Sequence, residues 1–146
     1  MNIAIAADHG GFSLMQELLV FLAELGHDLQ NLGPDSADSV DYPDYAKKVA
    51  LAVAEGRAEC GILICGTGIG MAIAANKIPG IRAATVTSPE FASLTREHNN
   101  TNVLALSGRF VDVETNKSIV RIFLETDFEG GRHQRRVDKI SDLENR

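Results

Sequence analysis

The stretch from Gly61 to Lys77 constrains this chain more than any other. There an apolar run, Gly61-Ile62-Leu63-Ile64-Cys65, gives way to glycines at positions 66, 68 and 70, then to small helix-forming residues. A run that is apolar at every position, without alternation, fits a strand buried on both faces, as in a parallel sheet covered by helices. Glycines just beyond such a strand permit positive φ and close approach of the backbone to a ligand. A helix that opens there aims unpaired N–H groups at one spot and favours an anion. Cys65 stands at the carboxyl end of the strand, beside a field that favours a thiolate. Two readings of each feature stay open on spacing alone. The turn is either an oxyanion cradle or purely structural, and Cys65 is either a nucleophile or base, or a small buried hydrophobe.

The rest of the chain repeats the strand–helix alternation. Asn2–Ala7 reads as a buried strand stopped by Asp8-His9-Gly10-Gly11, and Phe12–Leu25 carries a helical face at Leu14, Leu18, Leu19, Leu22 and Leu25, with Gly26 as its stop. A weaker strand, His27–Leu32, leads into a polar loop from Gly33 to Tyr42, and Pro43 suits the first turn of a helix to about Glu55. The helix after the glycine turn is predicted to reach about Lys77. Arg82–Thr87 reads as a fourth strand, and Ser88-Pro89 as the cap and first residue of a helix through about His98. Val103–Leu106 is a fifth strand, Asp112 opens a helix to about Glu125, and residues 132–146 form a terminal helix whose narrow stripe of Val137, Ile140 and Leu143 is expected to pack on a neighbouring subunit. Alternation throughout predicts one doubly wound α/β domain over residues 1–146, with a mostly parallel five-stranded sheet. In such sheets ligands bind outside the carboxyl ends of the strands.

Composition removes whole classes of function. A formal charge of −6 and a pI near 5.1 exclude the basic footprint of a nucleic-acid binder. No apolar run approaches the ~18–20 residues of a membrane span. Two cysteines close together in one predicted strand, and a start without a signal core, lead to the expectation of a soluble protein of the reducing cytoplasm. The glycine turn is not the dinucleotide fingerprint, because Met71 occupies the third glycine's place, and no Walker lysine follows. No Cys/His spacing or carboxylate pattern resembles a metal site, so no metal and no cofactor are expected.

Other candidates also carry two readings. Asp8-His9 is either a capping pair or a ligand for sugar hydroxyls and phosphate. His98 either complements the negative end of its helix or transfers protons. Arg132 and Arg136 share a helical face in an otherwise acidic chain, which is either a solvated face or a phosphate clamp.

Taken together, Ala7-Asp8-His9-Gly10-Gly11, Asp41-Tyr42-Pro43, Ile64-Cys65-Gly66-Thr67-Gly68-Ile69-Gly70, Ala74-Ala75-Asn76-Lys77, Arg96-Glu97-His98-Asn99 and Gly131-Arg132-His133-Gln134 closely resemble the type B ribose-5-phosphate isomerases. These belong to a sugar-phosphate isomerase family that includes galactose-6-phosphate isomerase subunits. The resemblance covers nearly the whole chain. It implies a Rossmann-like three-layer αβα sandwich, a homodimer or higher oligomer with shared sites, a small phosphorylated sugar as substrate, and no metal. It further implies Cys65 as the base that moves a proton between C2 and C1, and Thr67 with the amides of Gly66, Gly68, Ile69 and Gly70 as the enediolate cradle. His98 resembles the ring-opening acid/base. Asp8, Tyr42 and Asn99 match positions near sugar hydroxyls, and His9, Arg109, Arg132 and Arg136 match phosphate contacts. Another branch of the family uses a glutamate after the glycine turn, where this chain has Met71. Ribose 5-phosphate is the expected substrate, with a six-carbon sugar phosphate as the rival and a non-catalytic anion-binding module as the distant alternative.

Overall fold

The computed structural model describes residues 1–146. Five strands, β1 (Asn2–Ala7), β2 (Asp28–Asn31), β3 (Cys60–Cys65), β4 (Ala83–Thr85) and β5 (Val103–Ser107), alternate with helices α1 (Phe12–Glu24), α2 (Tyr42–Ala54), α3 (Ile69–Ala75), α4 (Pro89–Asn99) and α5 (Val113–Glu125). A further helix, α6 (Arg132–Asp142), follows, with one 3₁₀ turn at Leu143–Asn145. The sheet is parallel at every pairing, in the order β2-β1-β3-β5-β4. The α/β sandwich expected from the alternation is present, and its sheet is parallel throughout rather than mostly so.

β3 lies at the centre and is buried at all six positions. Because successive side chains in a strand point to opposite faces, its residues serve two cores. Ile62 and Ile64 join Ile3, Ile5, Leu104 and Leu106 under Leu18 and Leu22 of α1 and Ile119 and Phe123 of α5. Leu63 and Cys65 join Ala4, Ala6 and Ala105 under Val49 and Ala50 of α2 and Met71 and Ala75 of α3. The two cysteines fall on opposite faces and are both free.

Two elements are shorter than the sequence predicts. α3 stops at Ala75 because the Asn76 side chain takes over: its Nδ2 donates to the Ala83 carbonyl at 2.9 Å and its Oδ1 accepts from the Ala83 N–H at 2.7 Å. Arg82 is lost from β4 because its N–H goes to the Asn102 side chain at 2.8 Å and its Nε to the Asn100 carbonyl at 3.0 Å. The Ser88 and Asp112 caps are as expected, accepting from Phe91 N–H at 3.3 Å and Thr115 N–H at 2.7 Å. The terminal helix ends at Asp142 rather than running to residue 146. It lies on α4 of its own chain and buries Val137 and His133, while Ile140 and Leu143 stay exposed.

At their carboxyl ends β1, β3 and β5 converge. The Asp8 N–H donates to Ile64 O at 3.0 Å, Gly108 N–H to Cys65 O at 2.9 Å, and Arg109 N–H to Gly66 O at 3.2 Å. The three following loops touch backbone to backbone, since a Cβ on Gly108 would sit 2.6 Å from Gly10 O.

Candidate active site

The glycine turn is built around its middle residue. Gly68 holds φ 81°, in the left-handed region, and caps α3. Its N–H donates to Cys65 Sγ at 3.1 Å, and its carbonyl accepts the Thr85 hydroxyl at 3.1 Å. This puts a backbone donor on the sulfur of a residue that is 5% exposed. A Cβ at position 68 would also meet the Leu106 backbone at 3.0 Å. Gly68→Ala is therefore expected to cost about 1–2 kcal/mol from φ alone, a Tm drop of roughly 3–6 °C by calorimetry. An unchanged Tm would show that the turn relaxes freely.

Around the sulfur the turn presents donors. The N–H groups of Thr67, Gly70 and Met71 have no acceptor within the chain. Thr67 Oγ1 accepts from Ile69 N–H at 3.1 Å, which leaves its hydroxyl proton free to donate outward. The Tyr42 ring lies so close to Gly70 that a Cβ there would come within 2.7 Å of its Cζ. Arg109 lies over Gly66, with its Nη1 3.4 Å from where a Cβ would be. From β1, buried Asp8 accepts through Oδ1 from Gly10 N–H at 2.8 Å and Gly11 N–H at 3.2 Å. It thus shapes the turn as a cap would and brings a carboxylate to the same end of the sheet. His9 is exposed, and its Nδ1 accepts from Val40 N–H at 3.3 Å, which ties the 32–41 loop to this end. Asp8, His9, Tyr42, Cys65, Gly66, Thr67, Gly68, Ile69, Gly70 and Arg109 are thus brought together.

His98, Asn99, Arg132 and Arg136 are not among them. α4 runs antiparallel to the strands, so His98 and Asn99 at its end sit by the amino end of β5, where Asn102 O accepts from Gly61 N–H at 2.9 Å. Gly61 and Cys65 are about 13 Å apart along β3 at ~3.3 Å per residue. The His98 ring stacks on His133 of α6 with centroids 4.4 Å apart and planes 16° from parallel. Burial, and then the neighbouring His98, Arg132 and Arg136 charges, hold His133 below the usual imidazole range, while Glu129 opposes that shift. The two arginines, exposed on α6, share this second patch. One chain therefore carries two clusters of candidate residues at opposite ends of its sheet. A groove of about 720 Å³ beside the second, lined by Arg82, Thr95, Asn99, Ile140 and Leu143, contains none of the first cluster.

The supporting roles of several residues escaped the sequence reading. Ser107 Oγ donates to Gly66 O at 2.7 Å and accepts from Phe110 N–H at 3.0 Å, so it fastens the turn to the loop that carries Arg109. Buried Asn116 in turn donates to Ser107 O at 2.9 Å. The Thr85–Gly68 and His133–His98 contacts span sequence distances that no local pattern marks. Ser107 and Asn116 are the exception in one respect: a polar residue at a strand end and another on the apolar face of a helix is a detectable signal.

Comparison with known proteins identifies the family. Residues 3–140 match the family model described as ribose/galactose isomerase. Ribose-5-phosphate isomerase B of Escherichia coli (strain K12) is 50% identical over 145 residues, 99% of this chain and 97% of that protein. Among solved structures, Clostridium thermocellum ribose-5-phosphate isomerase B matches with a TM-score of 0.98 at 48% identity, covering 99% of this chain and 98% of the other. The Mycoplasma genitalium ribose-5-phosphate isomerase B, solved with bound ribulose-5-phosphate, matches with a TM-score of 0.96 at 48% identity, covering 99% and 96%. The resemblance carried by the motifs is borne out along the whole chain, which belongs to the ribose/galactose isomerase family.

Proposed function

We infer that the protein is an aldose–ketose isomerase that interconverts ribose 5-phosphate and ribulose 5-phosphate through an enediolate, as a cytoplasmic enzyme of pentose phosphate metabolism. The observation that carries the chemistry is the buried Cys65 sulfur with the Gly68 N–H on it, next to amides that have no acceptor. In the open-chain aldose, a thiolate at Cys65 takes the C2 proton, and the electron pair forms the C1–C2 double bond while charge gathers on O1. The free amides of the turn and the Thr67 hydroxyl face that developing oxyanion, and each such donor is worth about 3–4 kcal/mol in other enzymes. The O2 proton passes to O1, and the thiol returns its proton to C1 to give the ketose. The proton that leaves one carbon is the proton added to the next, so the reaction needs no external oxidant or reductant.

Ring opening requires a second acid/base, which gives a proton to the ring oxygen and removes one from the anomeric hydroxyl. His98 has the chemistry for it, and Arg132 and Arg136 supply the guanidinium forks that suit phosphate. A single chain holds them at the wrong end of its sheet. We therefore assign the working pocket to two copies related by a two-fold axis, each giving its β3 end to one pocket and its α4–α6 patch to the other. Exposed Ile69, Ile73 and Phe110 near one patch, and Ile140 and Leu143 near the other, provide apolar surface for that contact. The direct test is incubation of the purified protein with ribose 5-phosphate in the absence of added cofactor, with ketose followed over time. Allose and galactose 6-phosphates are run in parallel. Turnover of ribose 5-phosphate well above the hexoses is expected, and a reversed preference would replace the pentose reading with a hexose one.

A further inference from the structure

His98, Glu129 and His133 bring two imidazoles and a carboxylate to one place, with ligand atoms that all lie within 4.8 Å of one another. Three segments supply them: the end of α4, the link before α6, and the first turn of α6. That link is fixed, because Glu129 N–H donates to Glu97 O at 3.1 Å and His133 N–H to Gly130 O at 3.0 Å. The rings of His9 and His27 are each engaged in a hydrogen bond. His98 and His133 have none within the chain, and His133 Nε2 lies 3.7 Å from Glu129 Oε2, too far for one. His133 as a residue is only 7% exposed.

We propose that this cluster binds one divalent transition ion of the zinc class per chain and that the bound ion inhibits the enzyme. Two histidines and one carboxylate, with a fourth position for water, form a zinc donor set. The mixed nitrogen and oxygen ligands favour such ions over calcium or magnesium, which take oxygen alone. At bond lengths of about 2.0–2.2 Å the donors must close to roughly 3.3 Å from one another. Closure requires the half-buried His98 ring to turn out of its stack and the exposed Glu129 to swing inward. Arg132 and Arg136 oppose a cation here and Glu129 offsets one of them, so binding is reversible and regulatory rather than structural. The inhibitory part rests on the reading of His98 as the ring-opening group. An imidazole lone pair held by a metal can neither take nor return a proton. Inhibition therefore falls on the cyclic aldose and largely spares the open-chain ketose.

The test separates binding from catalysis. Cobalt(II) and zinc chlorides are titrated into the full-length Cys65→Ala protein, which lacks the competing thiol, and binding is read from cobalt visible absorption and equilibrium dialysis. One ion per chain with a tetrahedral cobalt band is expected. Added Glu129→Gln and added His133→Gln should each weaken it by about tenfold or more, since each removes one of three ligands. In the otherwise wild-type enzyme, zinc should slow conversion of ribose 5-phosphate more than that of ribulose 5-phosphate. Glu129→Gln should keep the uninhibited rate and need about tenfold more zinc for the same effect. Absence of binding at millimolar metal, binding that survives both substitutions, or a bound ion that leaves ribose 5-phosphate turnover unchanged would each overturn the proposal. A protein that binds zinc at the cluster yet converts no ribose 5-phosphate even without metal would sink the isomerase reading and, with it, the inhibitory role, leaving only the binding site.

Discussion

Cys65→Ala is expected to lower kcat for ribose 5-phosphate by about 10²–10⁴-fold or more, the range for removing a positioned proton-transfer group. The fold should survive. Alanine fits among Ala4, Ala6 and Ala105 on that face of the sheet, and the only hydrogen bond lost is the one from Gly68 N–H. Substrate binding, measured by calorimetry with the ketose, should remain because the amides and arginines are untouched. Cys60 is the built-in control. It lies on the other face of the same strand, and burial pushes its thiol up to about 12, so it is a poor nucleophile at neutral pH. Alkylation should therefore track activity at Cys65 and not at Cys60, as read by peptide mass against residual rate. A Cys65→Ala protein with near wild-type kcat would remove the sulfur from the mechanism.

Mixing two inactive chains should regenerate activity. One carries Cys65→Ala, and the other carries His98→Asn with Arg132→Ala. The substitutions fall in half-sites at opposite ends of the sheet, so a two-fold dimer of one chain of each kind contains one pocket with every group intact. Random exchange places about one quarter of all pockets in that state, and the rate at low substrate should approach that fraction of wild type. Each parent alone should stay far below it. Loss of Arg132 acts mainly on KM, through charge-assisted hydrogen bonds worth about 1.5–3 kcal/mol. Subunit exchange must be verified by native mass spectrometry. A verified heterodimer with no recovery would mean that each pocket draws both half-sites from one chain.

Local features of the fold were legible in the sequence, and lateral ones were not. The unbroken apolar run at Ile62–Cys65 identified a strand buried on both faces, and Ser88 and Asp112 marked helix starts through side-chain caps the structure contains. Nothing in Val103–Ser107 says that β5 slots between β3 and β4, because an apolar run carries no information about its neighbours. The ends of α3 and β4 were missed for a similar reason: the Asn76 amide bonds Ala83, which lies beyond the Pro79-Gly80 break. At the site, the residues after β1, β3 and β5 gathered as the strand-end rule predicts. His98 did not, since a residue ending a helix before a strand lies at the strand's amino end. The His98–His133 stack was invisible because its partners approach only when α6 folds back on α4.

The loop between β2 and α2 has a different kind of importance. It reaches the chemistry from the side, through Val40 N–H on His9 and, just past its end, the Tyr42 ring on Gly70, whereas the proton-transfer turn is fastened by Thr85, Ser107 and Gly108. On the proposed reading, the loop that would gauge the sugar and the turn that would move its proton are held by different contacts. Insertions and replacements in residues 32–41 can lengthen or shorten the pocket without disturbing the sulfur or its amides. A family whose model spans ribose and galactose isomerases is what such a division of labour allows, because substrate size can drift while the reaction stays fixed.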